Sequence, residues 1–458
     1  MEKEEQIQTL TVPITVPTPT QAYRTHRKIM KATVQPGKPI PIPTAVPLSQ
    51  GPRVLMWKQD PTVAEIGIRK SYLPSRVFTG PKDARIVNGA PGLPPVSPNA
   101  FGDFIQTPGT DAFDSIHTFA VVRQTLTMCE RMRGTPVPWQ WNSTSNTNPL
   151  SVFPHGLPGT MNAFYSRDQK ALKFGDFIKP GDPPTSPKIF TCRSLDIVSH
   201  ETGHAILDGL KPRWLAAGNP PQTGGLHESF GDLIAIFLAL SQLDQVEAAI
   251  AQTKSNLHDK TFLSDLAEVF GLALGRPNGL RNADNDLKLS EVGTEVHAIS
   301  QVFTGAIYDI LADIFAFEQN PALKDDAAVL YQVGQYVFSL VLRAIVASPA
   351  SNATYAQVAN QMLNIAAADG KPVQYRNFIR NRFTLREVLV STVPLHKDHD
   401  PKVKLAPGVQ DAPDAVQNRA GCCGTMNLPE HCGEEETLQA DIEAFKKSLE
   451  PQREKTKR

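Results

Sequence analysis

Residues 194–210 read SLDIVSHETGHAILDGL, and residues 224–240 read GGLHESFGDLIAIFLAL. In the first stretch His200 and His204 are four residues apart, so on a helix they stand one above the other on the same face. Glu201 follows about 100° round the helix, beside them. Two imidazoles that reach one ion, with a carboxylate alongside, match two zinc ligands and a general base. Leu195, Thr202 and Ile206 occupy the opposite face, as a helix buried on that side requires. The plainer alternative is a buried helix with two hydrogen-bonded histidines.

Zinc of this kind needs a third protein ligand and keeps a fourth position for water or substrate. The second stretch offers it. Glu228 and Asp232 are again four apart on one helix face. Glu228 can ligate, and Asp232, one turn on, can accept the other ring N–H of His200 and so fix its tautomer. Two acids on an otherwise apolar helix are costly to bury alone, and a metal and an imidazole remove that cost. His227 is a rival ligand, about 100° from Glu228.

Proline divides the rest of the chain. Residues 1–190 hold 26 of the 39 prolines. Proline interrupts helices and central strands, so loops, turns and short strands are expected there and helices beyond. Residues 1–53 read as a Pro-rich extension of extended chain, 54–193 as a β-containing domain, 194–394 as a helical zinc-binding domain, and 395–458 as a flexible tail. Within 54–193, Asp111–Arg133 has helical periodicity, with Asp111 or Asp114 as its cap. Asn162–Phe174 alternates about a turn at Ser166–Asp168 and predicts a hairpin. Later helices are expected over 194–210, 225–241, 243–252, 260–274, 296–317, 324–348, 354–368 and 374–382. The fold class is therefore α+β: a Pro-rich, β-containing N-terminal half and a helical C-terminal half, with the active-site helix and a cleft between them.

HETGHAILD followed by GGLHESFGD resembles the thermolysin family of zinc metallopeptidases, which take a glutamate as third zinc ligand. Asn162-Ala163-Phe164 and Phe174-Gly175 resemble the family's substrate-binding strand and its neighbour. FDSIHTFAVVRQTL, Leu280-Arg281-Asn282, Val296-His297-Ala298-Ile299-Ser300 with Gly305 and Tyr308, and TYAQVANQMLNIAAADG resemble further family segments. The resemblance implies one Zn2+ on His200, His204 and Glu228, with Glu201 as general base and Asp232 behind His200. It implies that His297 donates to the oxyanion, that Asn162 and Ala163 hold substrate backbone, and that Arg281 holds a substrate carbonyl. It also implies that Ile197 and Leu280 line the pocket for the residue after the scissile bond. The expected activity is hydrolysis of peptide or protein substrates on the amino side of bulky apolar residues.

This chain departs from the family pattern at several points. His227 stands where the family has asparagine, and the family's tyrosine has no clear counterpart, leaving Tyr165 and Tyr308 as candidates. Asp196 stands at a calcium-binding position, but Ala239 replaces a second acid. One carboxylate does not make a site of six to eight oxygens, so calcium is doubtful. The family's signal sequence and propeptide are not seen.

Composition narrows the alternatives. Lys+Arg and Asp+Glu both total 46, without the basic surplus that phosphate binding requires, so no nucleic-acid partner is expected. The longest clean apolar run, Leu233–Leu240, is far short of the ~20 residues of a membrane span, so no membrane partner is expected. No apolar stretch follows the acidic start MEKEEQIQ, so no signal peptide is expected, and the cytoplasm is the default compartment. Five cysteines, Cys129, Cys192, Cys422, Cys423 and Cys432, form no disulfide framework. Two rivals to the peptidase reading are a non-catalytic binding or structural protein that keeps the fold, and a thiol or metal site at Cys422, Cys423, His431 and Cys432.

Overall fold

The computed structural model describes residues 51–389, apart from 62–66, 143–147 and 277–278. All but the last three residues of the expected Pro-rich extension, and the whole expected tail with its Cys422, Cys423, His431 and Cys432, lie outside the described residues.

The described residues open with β1 (Arg53–Trp57) and β2 (Ile68–Tyr72), an antiparallel pair, then β3 (Ile86–Asn88) and helix α1 (Asp111–Arg133). Thr110 caps α1, its hydroxyl accepting from Phe113 N at 3.2 Å, and not Asp111 or Asp114. Asp114 turns inward, where Arg193 binds both its oxygens at 2.8 Å and His155 Nε2 lies 3.0 Å away. An acid held by tertiary partners is lost to capping.

A second sheet combines β3, β4 (Leu150–Leu157), β6 (Ala171–Phe177) and β5 (Ala163–Ser166) in that order, with β7 (Ile189–Phe190) also on β6. β3, β4 and β6 run parallel, and β5 returns antiparallel to β6. The β5–β6 pair is the expected hairpin, and β5 forms the sheet's edge.

Helices take over from Ser194: α2 (Leu195–Leu210), α3 (Pro221–Leu240), α4 (Leu243–Thr253), α5 (Glu268–Ala273), α6 (Val296–Glu318), α7 (Asp326–Ala347), α8 (Tyr355–Ala368) and α9 (Val373–Leu385). The α+β division read from proline thus holds, with strands concentrated before Ser194 and helices after it.

Two boundaries differ from the sequence reading. α3 begins at Pro221, which suits the first helical turn, where no N–H is needed. Its glycines belong to the helix, since Tyr355 and Ile299 press against Gly225 where any side chain would start. The helix expected over 260–274 is instead a turn, β8 (Asp265–Leu266) and the short α5. β8 pairs with β9 (Arg281–Asn282), and Ala267 adopts a left-handed φ of 51°. Asp196 Oδ2 accepts from Ala267 N at 2.6 Å, a contact 71 residues apart in sequence. A long-range bond of this kind overrides local helix preference.

Every residue of α3 is buried. It packs most extensively on α2 and α6, as expected of a helix that is apolar on nearly all sides. One hydrophobic cluster runs from Val54 to Leu389 and includes both the sheet and the helices. By length and composition alone, α6 and α7 are apolar enough to cross a membrane, although neither contains a long clean apolar run. Scattered polar residues broke those runs without lowering the average. In this fold 89% and 61% of their most apolar windows are buried inside the protein.

Candidate metal centre

Three helices meet at the site. α2 brings His200, Glu201 and His204; α3 brings His227, Glu228 and Asp232; α6 brings His297 from its first turn. His200, Glu201 and His204 each present an atom within 4.8 Å of the others, a group able to hold a metal ion. The carboxylate of Glu228 faces both imidazoles: His200 Nε2 lies 3.5 Å from its Oε2, and His204 Nε2 lies 3.5 Å from its Oε1. Ligands placed tetrahedrally at about 2.0–2.1 Å from zinc stand roughly 3.3–3.4 Å from one another. The two imidazole–carboxylate separations are close to that spacing.

Hydrogen bonding points the same way. His200 Nε2, His204 Nε2 and both oxygens of Glu228 are buried and make no hydrogen bond among the described residues. Leaving such groups so costs several kcal/mol for each ion, and a cation among them removes most of that cost. Burial pushes the His204 imidazole well below its ordinary pKa, keeping it neutral with a lone pair to share. Burial opposes the charge on Glu228, but the imidazoles of His297, His204 and His200 outweigh it and hold its carboxyl well below the usual range. For His200 burial also works against charge, yet Asp232 and Glu228 raise its pKa to about 10. A metal arriving there competes with that proton.

The far nitrogen of each ring is also held. His200 Nδ1 lies 3.0 Å from Asp232 Oδ1, as the i,i+4 spacing implied. His204 Nδ1 lies 2.7 Å from His227 Nδ1. His227 therefore stands behind His204 and not beside Glu228 as a rival ligand. His297 Nδ1 lies 2.6 Å from Glu295 Oε1, and its Nε2 lies 3.2 Å from Glu228 Oε2. Glu295 caps α6, accepting from the backbone N–H of His297 and Ala298 at 3.0 and 2.7 Å. Sequence reasoning passed over Glu295, although an acid just before a helix is a capping signal.

Arg281 reaches the site through the β8–β9 pairing. Its Nε and Nη2 bind the two oxygens of Asp232 at 3.0 and 2.6 Å, and it is 4% exposed. It thereby compensates the charge on Asp232, and breaking a buried pair of this kind costs about 3–5 kcal/mol. These two nitrogens are committed to Asp232. Next to His200 and Glu201 a cavity is lined by Ile197, Ala235, Leu266, Phe270 and Arg281. Ile197 stands where expected. Leu280 does not line this cavity; its backbone N–H bonds Leu266 O at 2.8 Å in the turn that presents Leu266.

The edge strand β5 packs on α2. Asn162 turns its side-chain oxygen back to the Ala163 N–H at 2.8 Å, so these two expected backbone-binding residues bond each other. Neither candidate tyrosine replaces the missing one. Tyr165 donates its hydroxyl to Asp208 at 2.7 Å and Tyr308 to Leu257 O at 2.8 Å, both buried. The oxygens of Asp196 accept from Ser194, Ile197 N and Ala267 N, so protein donors occupy the expected calcium-binding acid.

No protein-family model matches the chain. No curated protein matches it either. The metal-binding group therefore stands on its own geometry.

Among the described residues, two other groups have side chains close enough for an ion: Asp114 with His155 and Cys192, and His258 with Asp284 and Asp309. Guanidinium groups already occupy both. Arg193 pairs with Asp114, and Arg386 and Arg382 reach Asp309 at 2.8 and 3.4 Å. Burial raises the Cys192 thiol well above its ordinary pKa, which removes its thiolate as a ligand.

Close helix contact sets the depth of the histidines. A Cβ on Gly231 would lie 2.7 Å from His200 Cε1 and Nδ1, and one on Gly203 would lie 3.1 Å from Gly231 Cα. Gly231→Ala should therefore tilt the His200 ring and weaken metal uptake by at least about tenfold, the scale for disturbed ligand orientation. A chelator-competition titration measures it, with circular dichroism to establish that the helices persist. Unchanged affinity would show that the ring has room to move.

Proposed function

We propose that the chain is a zinc-dependent peptidase. The observation that carries this reading is the convergence of His200 Nε2, His204 Nε2 and both Glu228 oxygens, buried and without hydrogen bonds among the described residues, beside the carboxylate of Glu201. His200, His204 and Glu228 would hold the zinc. When bound, the ion supplies Lewis acidity, polarising a peptide carbonyl and acidifying a water.

The chain's own residues do the rest. Glu201 accepts the proton of the attacking water on its carboxylate and returns it to the departing amine. Protonated on both nitrogens, His297 keeps its Nδ1–H in a hydrogen bond to Glu295 and can donate Nε2–H to the oxygen that becomes negative. β5 offers an edge to which an extended substrate can add as a further strand.

The apolar character of Ile197, Ala235, Leu266 and Phe270 beside His200 supports the specificity expected from the sequence, although the space between them has room for little more than a water and these walls would have to part to admit a side chain. Burying a Leu or Phe side chain is worth about 1.5–3 kcal/mol. That is a preference of roughly ten- to a hundredfold in kcat/KM. The protein is therefore expected to cut an unfolded protein before Leu, Ile, Val or Phe, and a chelator should stop it. Mass spectrometry of the fragments, with and without chelator, reads both. Chelator-resistant cleavage, or cleavage mainly before charged residues, would refute the reading.

One observation favours a second reading. His297 Nε2, 3.2 Å from Glu228, is near enough to complete four protein ligands and close the site as a non-catalytic metal centre. Zinc bound without cleavage of any unfolded substrate would select it.

A further inference from the structure

The two nitrogens that meet behind the metal group are of the same kind, and this has chemical consequences. His204 Nδ1 and His227 Nδ1 are 2.7 Å apart, in rings tilted by 27° that are both fully buried. At that distance one proton must lie between them, since two N–H groups or two lone pairs would repel. We infer that His227 is a positioning residue that decides, through this one shared proton, whether His204 presents a lone pair or an N–H toward Glu228.

Two neutral arrangements satisfy the contact. In one, His204 Nδ1–H donates to His227, the His204 Nε2 lone pair faces the Glu228 carboxylate, and His227 carries its own proton on Nε2. In the other, His227 Nδ1–H donates to His204, and the proton on His204 Nε2 faces Glu228 Oε1 at 3.5 Å. The second suits the metal-free protein, where an N–H toward a carboxylate is favourable. The first is the only one that can ligate. Going from the second to the first moves the shared proton from His227 to His204, and His227 Nε2 gains the proton that His204 Nε2 gives up. The pair neither gains nor loses a proton overall. His227 Nε2 is buried and makes no hydrogen bond among the described residues, so either arrangement is open to it. An asparagine that turns its amide oxygen to His204 would accept from Nδ1–H and so favour the ligating form.

The inference rests on the proposed function only in that a metal binds at His204; it does not require peptidase activity. The test compares zinc affinity, by chelator competition, of the full chain with that of H227N and H227L. Asn places an accepting oxygen where His227 has Nδ1, and Leu places a methyl there. H227L is expected to bind zinc about ten- to a hundredfold more weakly, the range for lost ligand-orienting partners. H227N is expected to stay within about threefold of the parent. Equal losses in both variants, or none in H227L, would overturn the inference.

A measurement on the unmodified protein covers the case in which H227L fails to fold. Nitrogen-15 imidazole spectra should place the shared proton on His204 in the zinc-loaded chain and on His227 in the metal-free chain. A proton on His227 Nδ1 with zinc bound would overturn the inference. An unmodified chain that takes up no zinc would sink both this inference and the proposed function, whereas zinc uptake without proteolysis would sink only the latter.

Discussion

Glu201→Gln protein should keep its full complement of zinc and turn over peptide at least about a hundredfold more slowly, the usual scale for a lost general base. Glu201 is fully buried and directly follows His200 on α2. It lies within 4.8 Å of both histidine ligand atoms. Glutamine preserves its shape and its place in the helix but cannot take a proton from water. The ligands themselves are untouched, so elemental analysis should still find about one zinc per chain. Zinc content and kcat measured on the same preparation separate the two roles. Most of the activity surviving in this variant would remove Glu201 from the chemistry, and loss of zinc would make it a ligand.

The second large effect is expected from His200→Ala combined with His204→Ala. That variant should lose its zinc, and it should also melt lower. Both imidazoles face Glu228, which is 1% exposed. Removing them leaves its carboxylate with His297 alone at 3.2 Å, while Asp232 keeps Arg281. Truncating one side of a buried charged pair costs about 3–5 kcal/mol, a large share of the 5–15 kcal/mol that stabilises a typical folded protein. Elemental analysis and a thermal melt are the measurements. Undiminished zinc would place the ion elsewhere, with Asp114–His155–Cys192 and His258–Asp284–Asp309 the groups to test next.

Most of the metal group could be read along the chain because its spacings are local. An i,i+4 pair in a helix brings two side chains together whatever surrounds it, and this placed His200 with His204 and Glu228 with Asp232. Helix periodicity located α2, α6, α7, α8 and α9 to within a few residues for the same reason. The contact between His200 and Asp232 followed from ligand chemistry, because a ligating imidazole needs a partner on its other nitrogen.

The chain by itself determined the α+β division, through where proline forbids helices, and the metal-ligand spacing, through the geometry of a single helical turn. Tertiary structure decided what stands behind each ligand. It turned His227 toward His204 and used the β8–β9 pairing to bring Arg281 onto Asp232 and Leu266 and Phe270 beside Ile197. The helix expected over 260–274 gave way because Asp196 and β9 offered its backbone groups better partners than a helical turn would. Nothing local encodes such contacts. The partners are 23 residues apart for His204 and His227, 49 for Asp232 and Arg281, and 71 for Asp196 and Ala267, and only tertiary packing brings them together. Buried polar groups must find partners wherever the fold puts them, and that requirement is met in three dimensions.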